Sequence, residues 1–400
     1  MASTENTFII PDCRLFTGYK PCLPYKTCEG CPDPQPFGKK ILIVNLDAIG
    51  DVLMTTAQLP AIKRAYPEST VFWLTRKNAM PVLENNPFVH EVFPWTEDSR
   101  LILQQMHFDL VLNADKNRNS CAFTMMLQAA EKRGFGLNSH GAIIPLNAGA
   151  HYNYYLGTHD YVKFHENRKS GQQILAETWE LPFDRDEYVL VLSEAEIQET
   201  ERWRRELGLE GTDWVIGINT GCSDLYPNKK LTVEQQARLA RELKEAIPEA
   251  AIILLGGRED TERNAEIARL SEGVAIQTPT TLGLRQGIIL ENLADVVISG
   301  DTLGMHIAIG LKKYVVAWFG LSCAAEIDLY DRGIKIIRDL PCAPCWKKEC
   351  DLPHGPICVT ELDIRALVEA TVHLYHRAKK HPTSTEGRDK AEYAQSEVYV

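Results

Sequence analysis

Long apolar runs are missing: no stretch of this 400-residue chain approaches the ~18 to 20 apolar residues that cross a bilayer. The amino-terminal MASTENTFIIPDC also lacks the basic start and extended apolar stretch of a secretory signal, so the expected compartment is the cytoplasm. An excess of positive charge is missing too. A net charge of −11 excludes a nucleic-acid scaffold, because such proteins gather Lys and Arg to neutralise phosphates and release counterions. Any phosphate must therefore be bound locally.

What is present in unusual supply is cysteine. Of 11 cysteines, most fall in two runs near opposite ends of the chain: Cys13, Cys22, Cys28 and Cys31, then Cys342, Cys345, Cys350 and Cys358. Pairs spaced as Cys28-x-x-Cys31 and Cys342-x-x-Cys345 let two thiolates reach one tetrahedral ion, and each run holds enough ligands to close a structural site. A reducing cytosol favours ligation over disulfides. Zinc, a single iron and an iron–sulfur cluster all suit thiolate ligands, and one site shared between the runs is a further arrangement. His354 lies between Cys350 and Cys358 as a substitute ligand or a solvated loop histidine.

Between the runs the chain alternates short apolar strands with amphipathic helices, the pattern of a parallel sheet with crossover helices. The length and 44% apolar content suffice for two domains with their own cores. Ile41 to Val44, Thr70 to Thr75 and Phe108 to Asn113 read as strands of a first half. A charged helix runs from Glu194 to Leu207, followed by a linker from Gly208 to Asp213. Trp214 to Asn219, Ala251 to Leu255, Val296 to Ser299 and Val315 to Phe319 are strands of a second half, with a helix over Thr232 to Ile247 and a small-residue helix over Ile307 to Gly310. The reading divides the chain into a cysteine-rich segment 1–38, Rossmann-like halves 39–207 and 208–378, the second including the 342–358 cysteine run, and a disordered polar tail 379–400.

In open α/β sheets ligands gather beyond the carboxyl ends of strands, where helix amino termini offer unpaired N–H groups. Gly50-Asp51 stands at such a point, and Asp51 there either caps the helix or takes a proton from an incoming hydroxyl. Gly256-Gly257-Arg258-Glu259-Asp260 follows a strand without completing the three-glycine dinucleotide fingerprint; an acid there caps the helix or binds ribose. The loop Asp301-Thr302-Leu303-Gly304-Met305-His306 suits a pyrophosphate, although His306 alone reads as a packed core histidine. Lys229-Lys230, after a Gly221-Cys222-Ser223 turn, supply an ammonium for a leaving diphosphate, or a solvated pair. Asp115, Lys116 and Arg118 either bind an anionic acceptor or belong to ordinary surface charge.

Several of these stretches resemble glycosyltransferase family 9, the ADP-heptose heptosyltransferases: Ile41 through Val52 with Gly50-Asp51, Ala65-Tyr66-Pro67 with Trp73-Leu74, Ser299 through His306, and Val315 through Gly320. The resemblance covers roughly residues 39 to 375. It implies a GT-B architecture, with two Rossmann-like domains facing across a cleft, acceptor mainly on the first and sugar nucleotide mainly on the second, and inversion without a catalytic metal. It puts the catalytic roles on Asp51 as base and Lys229 at the diphosphate. Gly50, Thr220, Gly257, Glu259, Asp301, Thr302, Gly304 and His306 fall in the implied nucleotide-sugar site. Leu303 stands where the family commonly has glycine, with Gly304 one place later, and Leu231 stands where a tryptophan is frequent.

The implied donor is ADP-heptose and the implied acceptor a lipopolysaccharide core sugar, with peripheral association at the cytoplasmic face of the inner membrane. Autotransporter heptosyltransferases of this family, which modify proteins, carry a four-cysteine iron finger and form rings, so a protein acceptor, structural iron or zinc at the eight cysteines and a homo-oligomer follow as alternatives. A different class of reading is a metal-stapled GT-B scaffold that binds without turnover.

Overall fold

The computed structural model describes residues 10–24, 26–222, 225–380 and 396–400. Strands β1 (Lys39–Val44), β2 (Ser69–Thr75), β3 (Val89–Pro94), β4 (His107–Asn113), β5 (Gln128–Leu137) and β6 (Ile143–Pro145) form one sheet in the order β3-β2-β1-β4-β5-β6. Every pairing is parallel except β5 with β6. Strands β7 (Val215–Asn219), β8 (Ala251–Leu255), β9 (Ala275–Gln277), β10 (Val296–Gly300), β11 (Tyr314–Phe319), β12 (Gly333–Ile337) and β13 (Ser396–Tyr399) form a second, in the order β13-β12-β11-β10-β7-β8-β9.

In each sheet the first strand is flanked by the second on one side and the fourth on the other. That is the dinucleotide-fold order, and its ligand crevice opens where the order reverses, between β1 and β4 and between β7 and β10. The central strands form because their residues tolerate burial on both faces. Ile41, Leu42, Ile43 and Val44 are fully buried, with Ile41 paired to Val71 on one side and Leu110 on the other.

The two halves meet through packed apolar surface. Helix Ile49–Thr55, after β1, packs on helix Leu303–Gly310, after β10, so Val52 and Leu53 share one buried cluster with Met305 and Ile307. Polar ties reinforce the junction: Arg285 Nε lies 2.5 Å from Glu196 Oε1 while its Nη1 donates to the Pro81 carbonyl at 3.0 Å. Gln172 Nε2 donates to the Tyr330 hydroxyl at 3.1 Å.

Two expectations are corrected. The loop over Asp301 to His306 is shorter than its sequence suggested, because the helix starts at Leu303 and already contains His306. The disordered tail 379–400 is corrected at its two ends only: helix Ile364–Lys380 takes in its start and Ser396–Tyr399 pairs with β12, while 381–395 lie outside the described residues. Four residues are too few to show a strand period, and the pairing edge that β12 offers is distant in sequence. Ser223, placed by the sequence reading in a turn before Lys229, also lies outside the described residues.

Candidate active site

Asp51 opens into a pocket of about 480 Å³ whose walls include Lys116 and Lys163 from the first half and Glu326 and Trp346 from the second. Its Oδ2 accepts the Ala48 N–H at 3.0 Å, so the helix-capping bond is made, and the side chain still faces the gap. Protein mass from both halves crowds the carboxyl even though solvent reaches it through the pocket. That burial pushes its pKa above the usual range, with the Ala48 N–H and His306 pulling it down and Asp301 pushing it up.

The second half brings its own cluster to the same place. Lys229 Nζ donates to Asp301 Oδ2 at 2.7 Å, His306 Nε2 lies 4.0 Å from Asp301 Oδ1, and the Tyr188 hydroxyl sits 3.1 Å from His306 Nδ1. Burial alone would raise the Asp301 carboxyl, but the Lys229 charge, His306 and a Ser322 hydrogen bond hold it below the ordinary value. Burial also depresses His306, against the pull of Asp301 and Asp51. The histidine is thus both packed in the core and part of the site.

The remaining expected residues divide. Thr302 accepts Asn219 Nδ2 at 2.8 Å, and Asn219 also reaches Ser299 at 3.1 Å, which pins the start of helix Leu303–Gly310. Gly304 is a packing glycine: a β-carbon there would lie 2.6 Å from Asn219 Cγ. Gly257 donates its N–H to Asp260 Oδ2 at 2.9 Å, so buried Asp260 caps the helix and Glu259 stays exposed beside Gly257. Thr220 is corrected. Its side chain is fully buried and its hydroxyl is used within the core by Leu255 and Asn264, so it does not face a ligand. Asp115 lines the Asp51 pocket, but its carboxyl is largely buried, accepts Asn45 Nδ2 at 2.7 Å and the Leu46 N–H, and is pushed up to about 7 by burial.

Trp346, Glu326 and Asn219 escaped the sequence reading. Asn219 ends a strand, where any polar residue reads as a turn. Trp346 carried a signal that was passed over: a large aromatic inside a cysteine run has no apolar element of its own to pack into.

The eight cysteines of the two runs are all free thiols. Cys342, Cys345, Cys350 and Cys358 line one cavity of about 190 Å³, and Cys358 is pushed up to about 11 by burial and then by the other three thiols. The soft donor set suits zinc or iron. Among the described residues, however, no three His, Cys, Asp or Glu side chains are drawn close enough to hold an ion. Cys13, Cys22, Cys28 and Cys31 line neither pocket.

The family model for glycosyltransferase family 9 (heptosyltransferase) matches residues 100–355. The chain is 22% identical over 305 residues to lipopolysaccharide heptosyltransferase 1 of Campylobacter coli, covering 70% of this chain and 84% of that protein. Its fold is similar to that of the ADP-heptose lipopolysaccharide heptosyltransferase II of E. coli, with a TM-score of 0.61, 18% identity and coverage of 85% and 99%. It is also similar to the dodecameric iron-containing heptosyltransferase TibC of enterotoxigenic E. coli, solved with ADP-D-beta-D-heptose, with a TM-score of 0.51, 10% identity and coverage of 85% and 76%.

Proposed function

The chain belongs to glycosyltransferase family 9, the heptosyltransferases, and from that premise we propose that it moves heptose from ADP-heptose, with inversion, to a hydroxyl of a lipopolysaccharide core sugar. One observation carries the reading. Gly50, next to Asp51, packs against the His306 ring, which lies 4.0 Å from Asp301, itself bonded to Lys229, so the carboxylate of one switch point and the cation of the other meet where the two halves join.

In this mechanism Asp51 takes the proton of the acceptor hydroxyl as its oxygen attacks the anomeric carbon. The bond from that carbon to the diphosphate breaks, and ADP leaves with the electron pair. Lys229 neutralises the charge gathering on the diphosphate, helped by N–H groups at the start of helix Leu303–Gly310. Glu259 accepts hydrogen bonds from the ribose hydroxyls in this mechanism. Lys116 and Lys163, beside Asp51, suit an anionic acceptor sugar; burial and the neighbouring Lys163 charge lower Lys116 to about 8, which leaves it mostly protonated at pH 7. No step passes through a metal. The four carboxyl-terminal cysteines would hold zinc or iron as a structural staple once drawn together around the ion, a reading supported by their shared cavity and by the iron in TibC.

Among the described residues no helix is long and apolar enough to cross a membrane. A lipopolysaccharide core acceptor puts the proposed reaction at the cytoplasmic face of the inner membrane, with the enzyme peripheral there. A second reading takes a protein hydroxyl as acceptor, and the dodecameric TibC favours an oligomeric enzyme. The test is transfer from ADP-heptose with core-sugar and protein acceptors supplied in parallel, on wild type and Asp51→Ala. The variant is expected to lose transfer while binding ADP as before. Retained turnover removes Asp51 from the role, and tight ADP binding without turnover in wild type leaves a binding scaffold.

A further inference from the structure

Lys229 has a neighbour that the transfer mechanism above does not use. Its Nζ lies 4.4 Å from the ring centroid of Trp346 and 5.5 Å from that of Tyr226, and the two rings meet edge to face at 5.8 Å. Trp346 belongs to the cysteine-bearing segment, directly after Cys345. The N–H groups of both residues donate to the Leu321 carbonyl, at 3.1 Å for Cys345 and 2.9 Å for Trp346. That double anchor fastens the segment onto the loop after β11 and delivers the indole to the pocket that holds Asp51. The Trp346 backbone takes φ of +52°, a conformation that side chains rarely adopt without tertiary reason. Its indole Nε1 is buried with no hydrogen-bond partner, so the ring is not held there by a polar bond of its own.

We propose that Trp346 is a positioning residue for the diphosphate lysine, carried into the donor site by the cysteine segment; this rests on the nucleotide-sugar reading above. An ammonium has three N–H donors, and Asp301 accepts one of them at 2.7 Å. An aromatic face attracts the cation but takes no hydrogen bond in the ordinary sense. With Asp301 on one side and the two rings on another, the Lys229 chain is fixed while donors remain for phosphate oxygens. A polar side chain in place of the indole would compete for those donors. A small one would let the four-carbon stem swing. Lys163, 5.2 Å from the same ring centroid, ties the acceptor side of the pocket to the same indole.

The experiment compares ADP with AMP binding by calorimetry in wild type, Trp346→Leu and Trp346→Phe, because only ADP carries the second phosphate. Trp346→Leu is expected to bind ADP about 10-fold more weakly with AMP affinity unchanged, and Trp346→Phe to recover to within about three-fold of wild type. A general loss of structure would lower both affinities together. An unchanged ADP-to-AMP ratio in Trp346→Leu, or a Trp346→Phe as poor as Trp346→Leu, overturns the proposal and leaves the nucleotide-sugar reading standing. A wild type that does not prefer ADP over AMP removes both. If melting curves show Trp346→Leu unfolded, Trp346→Met supplies the same comparison.

Discussion

Gly50 lies so close to the His306 imidazole that a β-carbon on it would fall 2.7 Å from His306 Cδ2. The contact joins the two halves at the base of the cleft, one residue from the proposed base and inside the helix that follows the phosphate loop. No real β-carbon contact is that short, so Gly50→Ala must displace either the ring or the whole first helix. The expected cost is about 1–3 kcal/mol of stability. A shift approaching 1 Å between base and donor would also lower kcat by as much as about 100-fold. Melting and steady-state rates measure the two effects, and wild-type kcat in Gly50→Ala would show that the contact is slack.

The halves themselves were legible from the amino-acid order, because Ile41 to Val44 and Ala251 to Leu255 are apolar, branched and bounded by turn residues. Asp51, Lys229 and Asp301 stood out because each follows a strand, where such folds bind, and the resemblance to the family supplied their expected roles. What sequence did not give was pairing at a distance. The Lys229–Asp301 bond spans 72 positions, and nothing local tells a buried acid that serves a lysine from one that caps a helix. Thr220 shows the same gap in reverse: it sits at a strand end, yet its hydroxyl turns inward to Asn264. Strand β13 and Trp346 were missed because each gains its place from partners elsewhere in the chain, β12 and the Leu321 carbonyl.

The raised Asp51 carboxyl fixes the sign of a pH effect. A base works only when deprotonated, so the acid limb of kcat/KM is expected above the ordinary aspartate value near 4. Linkage runs the other way for stability. A carboxyl whose folded pKa is raised stabilises most below its unfolded pKa, and that contribution is lost as pH rises through the folded value. Asp51→Asn should therefore melt at or above the wild-type temperature at pH 8 while losing transfer. A clear fall in melting temperature at pH 8 would contradict the assigned direction.

Lys229 and Asp301 predict a paired outcome. Both are largely buried, so Lys229→Met strands a carboxylate without its cation, at a cost on the order of 3 kcal/mol. Adding Asp301→Asn removes the stranded charge, so the double variant should recover much of that loss. ADP binding should stay weak in both, because the ammonium is gone from each. Urea unfolding and ADP titration separate these effects. A double variant no more stable than Lys229→Met would mean that the pair does not set the local balance.

The cysteine runs predict which end of the chain holds a metal. Cys342, Cys345, Cys350 and Cys358 line a cavity that no amino-terminal cysteine reaches, so the carboxyl-terminal set is expected to act alone. Cys345→Ser with Cys350→Ser removes two of four thiolates and should strip the ion from anaerobically purified protein. Cys28→Ser with Cys31→Ser should leave it bound. Because Trp346 follows Cys345 and shares its anchor on the Leu321 carbonyl, the first pair should also weaken ADP binding, and the second should not. Metal analysis beside ADP titration reads both consequences on the same samples. Loss of the same metal in both pairs would instead show one site drawing ligands from both ends, and its cysteines would then clamp the amino-terminal segment against the donor half.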